Sequence, residues 1–405
     1  MNRVIRKRLG DIVNFKRGYD LPSYNRREGN YPIISSGGIS GYHSEFKKDG
    51  EGLITGRYGT LGEMYYINGK YWPHNTALYA TDFKGNYPKY VYFLMKCLGN
   101  LKTSDKSTVP GVNRNDLHEI VVTYIKPEFQ KEIADILFLI DAKIELNNRI
   151  NRELEAMAKT LFDYWFVQFD FPNEQGNPYK SSGGKMVYNA ELKREIPEGW
   201  EVKKLSEIAN ITMGQSPEGS SYNDDGIGEI FFQGSTDFGW RYPTIRQYTT
   251  QPSRRAKAGD ILLSVRAPVG TLNIADNDCC IGRGLAALNS KSGYDSYLYY
   301  VMEYFKQIFD NRNNAGTTFG SITKDDLFSL KLVYPKDDQL KKYNHLVAKY
   351  NQMILNNYKQ NQQLSELRDW LLPMLMNGQV TVKEAEEKLS MAAEPGGEKC
   401  SGFQC

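Results

Sequence analysis

Ser107-Thr108-Val109-Pro110-Gly111-Val112-Asn113-Arg114-Asn115-Asp116-Leu117 returns later in the chain as Thr317-Thr318-Phe319-Gly320-Ser321-Ile322-Thr323-Lys324-Asp325-Asp326-Leu327. Each copy is followed by a short β-like run, a proline (Pro127, Pro335) and a long helical pattern. Each helix carries an Asn-Asn pair, Asn147-Asn148 and Asn356-Asn357. A repeat this long lies well above the roughly 20–50 residues of a solenoid unit and marks a duplicated domain. Other segments recur in the same order. Lys204-Leu205-Ser206-Glu207-Ile208-Ala209 matches the opening Arg8-Leu9-Gly10-Asp11-Ile12-Val13. Arg57-Tyr58-Gly59-Thr60-Leu61 finds a partner in Arg266-Ala267-Pro268-Val269-Gly270-Thr271-Leu272, with an insertion. Two similar domains on two similar helices suggest a reader of something with two similar parts.

With 405 residues the chain has room for two or three domains, each with its own core. The 28 Tyr and 18 Phe make it rich in aromatics. No apolar run approaches the roughly 18 residues of a membrane span, and no apolar stretch follows the basic start Met1–Arg8, which reads against a secretory signal. Five cysteines, none in a Cys-x-x-Cys pair, read against zinc and a disulfide framework and fit a reducing cytoplasm. A net charge of +3 does not announce nucleic acid, so a DNA partner requires the cations to gather on one face.

Short Tyr/Ile/Val-rich runs punctuated by Gly, Asn and Pro read as strands, including Gly52–Thr55 and Met64–Ile67. Tyr87–Lys96 reads as a helix starting near Pro88, and Ala258–Arg266 as a turn followed by a buried strand. In the first long helix Ile133, Leu137, Ile140, Ile144, Asn147, Asn151, Leu154, Ala158 and Leu161 recur in steps of three and four. In the second, Leu346, Tyr350, Met353, Asn357, Gln360, Leu364, Leu367, Leu371 and Met374 do the same. This is a coiled-coil seam with a polar centre in each helix. An antiparallel pair brings Asn147 and Asn151 opposite Asn357 and Gln360, at a cost in stability that fixes register. Residues 167–200 read as a loop-rich linker, Pro373 as a kink in the last helical turn, and 379–405 as a mobile tail.

No catalytic constellation is present in the sequence. There is no P-loop, and Gly226-Ile227-Gly228 and Gly282-Arg283-Gly284 lack the third glycine of a dinucleotide fold. The four histidines have no metal-ligand spacing. DNA recognition needs cations for phosphates and forked polar groups for base edges. Lys16, Arg17, Tyr19, Arg57, Tyr58 and Thr60 offer these in the first domain, and Arg254, Arg255, Arg266, Thr317 and Thr318 in the second. For each the bland alternative is a solvated face, and for Arg57 and Arg266 a structural contact.

Ile196-Pro197-Glu198-Gly199-Trp200-Glu201-Val202-Lys203-Lys204-Leu205, Leu161-Phe162-Asp163-Tyr164-Trp165-Phe166 and the linker from Phe171-Pro172-Asn173 to Ser182-Gly183-Gly184 are the most specific elements of a wider likeness. In these and in its repeated layout the chain resembles the specificity (S) subunit of Type I restriction-modification systems. It departs at the start, where the first domain opens directly on Arg8-Leu9-Gly10-Asp11 without a Pro-x-Gly-Trp turn. The resemblance implies an α+β fold with two mixed α/β target recognition domains, each followed by a long helix, the helices pairing as an antiparallel coiled coil. The expected boundaries are 1–125 for the first recognition domain, 126–166 for the central helix and 167–200 for the linker. The second domain takes 201–333, the distal helix 334–378 and the tail 379–405.

The resemblance further implies that the two domains read the halves of a bipartite site in double-stranded DNA, while the helices set the spacer. The helices also dock two methyltransferase (M) subunits, and motor-nuclease (R) subunits join the complex. The residues assigned to the coiled coil and docking are Ile140, Ile144, Asn147, Asn151, Leu154, Leu161 and Trp165, with Met353, Asn357, Gln360, Leu364, Leu367, Trp370 and Leu371. S-adenosylmethionine, ATP and Mg belong to the partners, and the chain itself is not an enzyme and binds no cofactor or metal. The competing readings are a two-headed protein-binding adaptor, which lacks salt-dependent DNA affinity, and a nuclease or methyltransferase in its own right.

Overall fold

The computed structural model describes residues 4–57, 63–98, 113–314 and 321–393. The chain forms two units, Met1–Arg149 with Asn356–Cys405, and Ile150–Leu355.

Unit 1 opens with β1 (Val4–Arg8), β2 (Asn14–Arg17), β3 (Tyr31–Ser35), β4 (Gly38–His43), β5 (Glu51–Gly56), β6 (Met64–Asn68), β7 (Trp72–Pro73) and β8 (Ala77–Asp82). Then come α1 (Pro88–Cys97), α2 (Arg114–Glu119), β9 (Val121–Ile125) and α3 (Pro127–Phe162), which supplies its first part to this unit. One sheet has the order β2-β8-β5-β6, a second β4-β3-β7, and β1 pairs antiparallel with β9. β5 is central, and its residues from Gly52 to Gly56 are buried, the even burial of a strand covered on both faces. Pro88 opens α1, where its missing N–H costs nothing. The helix buries Tyr90, Val91, Phe93, Leu94 and Met95. A buried polar knot ties this domain to α3. Asn86 Oδ1 accepts from Tyr124 (2.6 Å) and from Gln130 Nε2 (2.9 Å), and Gln130 Nε2 also donates to the Ile125 carbonyl (2.8 Å). Gln130 is fully buried, so these bonds supply the partners that its amide loses from water.

Unit 2 takes the rest of α3, then β10 (Met186–Asn189), β11 (Arg194–Pro197), β12 (Glu201–Lys204), α4 (Leu205–Ile208), β13 (Ala209–Met213), β14 (Tyr222–Asn223), β15 (Glu229–Phe232) and β16 (Tyr248–Thr249). There follow β17 (Arg255–Ala256), β18 (Ile261–Ser264), β19 (Leu272–Ile274), β20 (Cys279–Ile281), β21 (Leu285–Ser290), α5 (Asp295–Asn314), α6 (Lys324–Ser329), β22 (Lys331–Tyr334) and the first part of α7 (Asp337–Met376). Its main sheet runs β13-β21-β18-β19, and β12 pairs with β22. Strand for strand this is the order of unit 1. The parallel pairs β3·β7 and β15·β20 also correspond. The repeated motif lands where its copies agree: Asn113 caps α2 and Thr323 caps α6. Residues 107–112 and 317–320 of the motif lie outside the described residues. Cys279 and Cys280 are buried in β20, and burial pushes the Cys279 thiol up to about 12.

Three expectations need correction. The segment 167–200 is no loose linker. After a π-helical turn at Asp163–Val167, Phe169, Phe171, Ile196 and Trp200 enter the core of unit 2. Phe171 stacks between Trp200 (4.9 Å) and Tyr179 (4.6 Å), and Asp170 accepts from the Ser181 amide and hydroxyl. Turn residues dominated the reading, but the scattered aromatics supply the burial. The described part of the expected tail, 379–393, is not free either, while residues 394–405 lie outside the described residues. Thr381 and Glu384 form a cap opening α8 (Val382–Ala393), and Ala385 is fully buried in the core of unit 1. α7 itself continues past Pro373 to Met376.

The third correction concerns the seam. In α3 the expected positions hold: Ile140, Asn147, Asn151 and Leu154 are buried, with Ile144 and Leu161 partly so, and Trp165 is buried in the π-helical turn that follows. In α7 the buried apolar residues are Leu340, Tyr343, Val347, Ile354, Leu364, Leu371, Leu375 and Met376, so that Val347, Ile354 and Leu375 lie one residue on from the expected Leu346, Met353 and Met374. Met353 is 49% exposed while Ile354 is fully buried. Both phases share Tyr350, Asn357, Leu364 and Leu371, so heptad spacing alone could not separate them. The core of unit 2 decides, because Leu340, Tyr343 and Val347 pack into it.

Candidate nucleic-acid interface

The two units can be compared residue by residue through their ladders. Gly56 stands opposite Ala77 and Ser264 opposite Leu285; Arg17 stands opposite Leu78 and Met213 opposite Ala286. Three residues separate β7 from β8, His74-Asn75-Thr76, and three separate β20 from β21, Gly282-Arg283-Gly284. Their anchoring bonds repeat: His74 N to Ile34 O and Gly282 N to Phe232 O are both 2.8 Å. Gly18 N donates to Ala77 O (3.0 Å) and Gly214 N to Leu285 O (2.9 Å). Both positions demand glycine. A Cβ on Gly18 would lie 2.1 Å from the His74 carbonyl, and one on Gly214 2.2 Å from the Gly282 carbonyl. Close backbone contact therefore fixes the same sheet corner in each unit.

This register corrects the sequence pairing of Arg57 with Arg266. Arg57 N donates to Thr76 O (3.0 Å), and the matching donor is Val265 N to Gly284 O (2.9 Å). Arg57 therefore corresponds to Val265, one residue earlier. Leu272 occupies the place of Met64, because each stands opposite the matching residue of the neighbouring strand. The shared letters Arg, Gly-Thr and Leu drew the alignment, but the ladder counts positions, and a shift of one turns a side chain to the other face.

In unit 1 the corner gathers the ends of β2 and β5 around His74–Thr76. Lys16 and Arg17 are exposed on β2, and Arg17 Nε donates to the Asn75 carbonyl (3.2 Å). Tyr19 is half-buried, its hydroxyl 3.0 Å from that of Tyr79 and its ring edge-on to Trp72. The Asn75 amide donates to Asp20. His74 is held below its ordinary range, first by burial and then by the charge of Arg26, so near neutrality it presents a neutral ring. Tyr58 and Thr60 lie outside the described residues. Lys47, not singled out in the sequence, lies over Trp72 at 4.6 Å.

In unit 2 the same corner is formed by the ends of β13, β15, β18 and β20. Arg254 and Arg266 are exposed and have no ion-pair partner among the described residues. Arg255 forks onto Glu229 with bonds of 2.8 to 3.1 Å, which leaves it less free for a phosphate. It corresponds to Lys47, since Ala256 faces Cys279 as Lys48 faces Tyr71. Thr317 and Thr318 lie outside the described residues. Sequence reasoning passed over Arg283, exposed between two glycines. Its amide donates to Ser216 Oγ (3.2 Å), which also accepts from Gln233 Nε2 (2.9 Å). The usable signal was one arginine between glycines, flanked by two buried strands.

The helices carry polar ties within each unit. In unit 1 Asn147 Nδ2 donates to Gln360 (2.8 Å) and Asn361 (2.9 Å), and Asn361 donates to Asn148 (2.8 Å). Arg368 and Lys96 both reach Asp141, at 3.0 and 3.5 Å. In unit 2 the buried Arg241 pairs with Glu155 of α3 and donates to Asn351 of α7 (2.7 Å), with Tyr299 4.5 Å below it. In each unit α3 and α7 pair antiparallel. Leu364 and Leu371 are buried, and Asn357, Gln360, Leu367 and Trp370 are half-buried. Among the described residues no group of His, Cys, Asp and Glu could hold a metal, and no helix is long and apolar enough to cross a membrane.

The family model described as Type I restriction modification DNA specificity domain matches residues 4–156 and again 197–366. The MjaX specificity subunit of Methanocaldococcus jannaschii is 32% identical over 308 residues, 73% of this chain and 69% of its own length. The Type I restriction enzyme MjaIX specificity subunit of the same organism is 27% identical over 317 residues, 73% and 70% of the two chains. A crystal structure of a Type-I restriction-modification system S subunit from M. genitalium shares the fold. Its TM-score is 0.64 at 15% identity, covering 91% of this chain and 95% of that one.

Proposed function

This chain belongs to the Type I restriction-modification DNA specificity family, and on that premise we propose that its two recognition domains read the two halves of a bipartite DNA site for an adenine methyltransferase and ATP-dependent nuclease. It is a non-catalytic DNA specificity subunit. The observation that carries the bipartite reading is the duplicated corner: one strand order, one pair of close-packed glycines, and different side chains on the same frame. A shared frame with different side chains is what two half-sites of different sequence require.

In this reading the paired helices set the spacer and dock two M subunits, with R subunits joining for restriction. S-adenosylmethionine, ATP and Mg act on those partners, in the cytoplasm. Two weak heads joined at fixed separation gain affinity through effective concentration when the geometry matches. Cations at the corner hold phosphates, and nearby polar groups read base edges.

Co-expression with the neighbouring methyltransferase gene, followed by genome-wide mapping of methylated adenines, tests this. A single two-part motif with a fixed spacer is expected. A stable complex that methylates no such motif would overturn the reading. Lengthening both helices by matched insertions beside Asn147 and Asn361 is expected to change the spacer and leave both half-site sequences intact.

A further inference from the structure

Lys47 and Arg255 put a cation at the same position of the two corners, but two other positions differ. The place of Arg17 is taken in unit 2 by Met213, and the place of Asn75 by Arg283. These two differences meet at one point. Arg17 Nε rests on the carbonyl of Asn75, so its guanidinium stands beside the residue that corresponds to Arg283. Each unit thus brings one exposed guanidinium to the same three-residue loop, from β2 in unit 1 and from the loop itself in unit 2. The surroundings correspond as well. Asp20 accepts from the side-chain Nδ2 of Asn75, and Ser216, in the matching place, accepts from the backbone N–H of Arg283.

We propose that Arg17 and Arg283 are equivalent phosphate anchors, each gripping the DNA backbone at the same place relative to its own half-site. The inference rests on the DNA-specificity reading and deepens it. The location points to phosphate and not to a base. A group that two domains keep in one place while the residue supplying it moves serves the frame they share, which is docking register. Base-reading groups are the ones expected to differ between half-sites. The loop is also poorly suited to adjust to a base edge. A Cβ on Gly282 would lie 2.8 Å from Gln233 Oε1 and one on Gly284 2.7 Å from the Gln233 carbonyl, so the backbone around Arg283 is packed in place. Arg283 has no carboxylate partner among the described residues, and Arg17 has only the Asn75 carbonyl.

The test uses the full chain in its complex with the methyltransferase subunit and a fluorescent duplex of random sequence, titrated at rising potassium chloride. Each phosphate contact contributes about 0.9 to the slope of log affinity against log salt, or roughly threefold in affinity between about 50 and 200 mM. Arg283→Gln and Arg17→Gln are each expected to lower the slope by about 0.9, and the double variant by about twice that. The exchange Met213→Arg with Arg283→Asn rebuilds the arrangement of unit 1 in unit 2 and is expected to restore the slope. Thermal melting confirms that each variant is folded. An unchanged slope in folded Arg283→Gln, or no restoration by the exchange, overturns the proposal. So does a methylated motif relaxed at one base by Arg283→Gln, since that marks a base reader. If the unaltered complex itself shows no salt-dependent affinity for the duplex, the DNA-specificity reading fails instead.

Discussion

Units 1 and 2 share a strand order but are tied to their helices by opposite electrostatics. In unit 1 a carboxylate sits in the middle: Asp141 on α3 receives Lys96 from the recognition domain and Arg368 from α7, all three side chains about a quarter exposed. In unit 2 a cation sits in the middle: Arg241, 1% exposed, comes from the segment between β15 and β16 and joins Glu155 and Asn351. That segment has no counterpart in unit 1, where β3 and β4 are joined by two residues. The hydrogen-bonded frame is what duplication preserved, whereas each joint was built separately from whatever charges its loops supplied. The joints should therefore differ in energy. A partly hydrated ion pair contributes little, while a buried charge stripped of its partner is expensive.

Removing the partner of a buried charge gives the largest expected effect. Glu155→Ala leaves the buried Arg241 guanidinium without its carboxylate, and should cost about 3 kcal/mol in urea unfolding. Replacing the pair by apolar residues, Arg241→Met with Glu155→Leu, should recover most of that loss, because no charge is then left buried. A double variant as unstable as the single one would show that packing and not charge holds this joint. Next comes the polar layer of unit 1. Asn147→Leu leaves Gln360 and Asn361 without their donor and should cost about 2 kcal/mol. At the apolar seam of unit 2, Ile354→Val should cost about 1 kcal/mol, as the loss of one buried methylene does. Asp141→Asn should cost less, about 0.5 kcal/mol, since Asp141 and both of its partners keep contact with water. Equal losses for Asp141→Asn and Glu155→Ala would erase the contrast between the joints.

The strand frame was legible in the sequence because repetition, Gly turns and β-rich runs are local signals. The Pro88 helix start was legible for the same reason. The seam of α3 could be read because its apolar residues fit one phase. That of α7 could not, because Met353 and Ile354 are adjacent and only the core contacts of Tyr343 and Val347 choose between them. The linker and α8 were misread where composition outweighed spacing. Phe169, Phe171 and Trp200 are separated by turn residues, and Ala385 is a single small side chain that finds a pocket. At the corner, Arg17 was found by its charge. Arg283 carried only the local signal of an arginine between two glycines, and which strand ends meet around it is a long-range fact.

The smallest effect concerns the caps of the repeated motif and its pH dependence. Asn113 caps α2 with a neutral amide, whereas Thr323 and Asp326 cap α6 reciprocally. Hydrogen bonds from the Thr323 hydroxyl and amide hold the Asp326 carboxyl below its ordinary value. A depressed carboxyl contributes stability that is fully present above its unfolded-state value and is lost as pH falls through its folded-state value. Amide exchange in the first turn of α6 should therefore quicken as pH drops below the ordinary aspartate range, once corrected for the intrinsic rate. The first turn of α2, lacking a titrating cap, serves as the internal reference. In Asp326→Asn the acid-dependent difference between the two helices should vanish. Persistence of that difference would place its origin in another carboxylate of unit 2, such as Asp170, whose bonds from Ser181 depress it in the same direction.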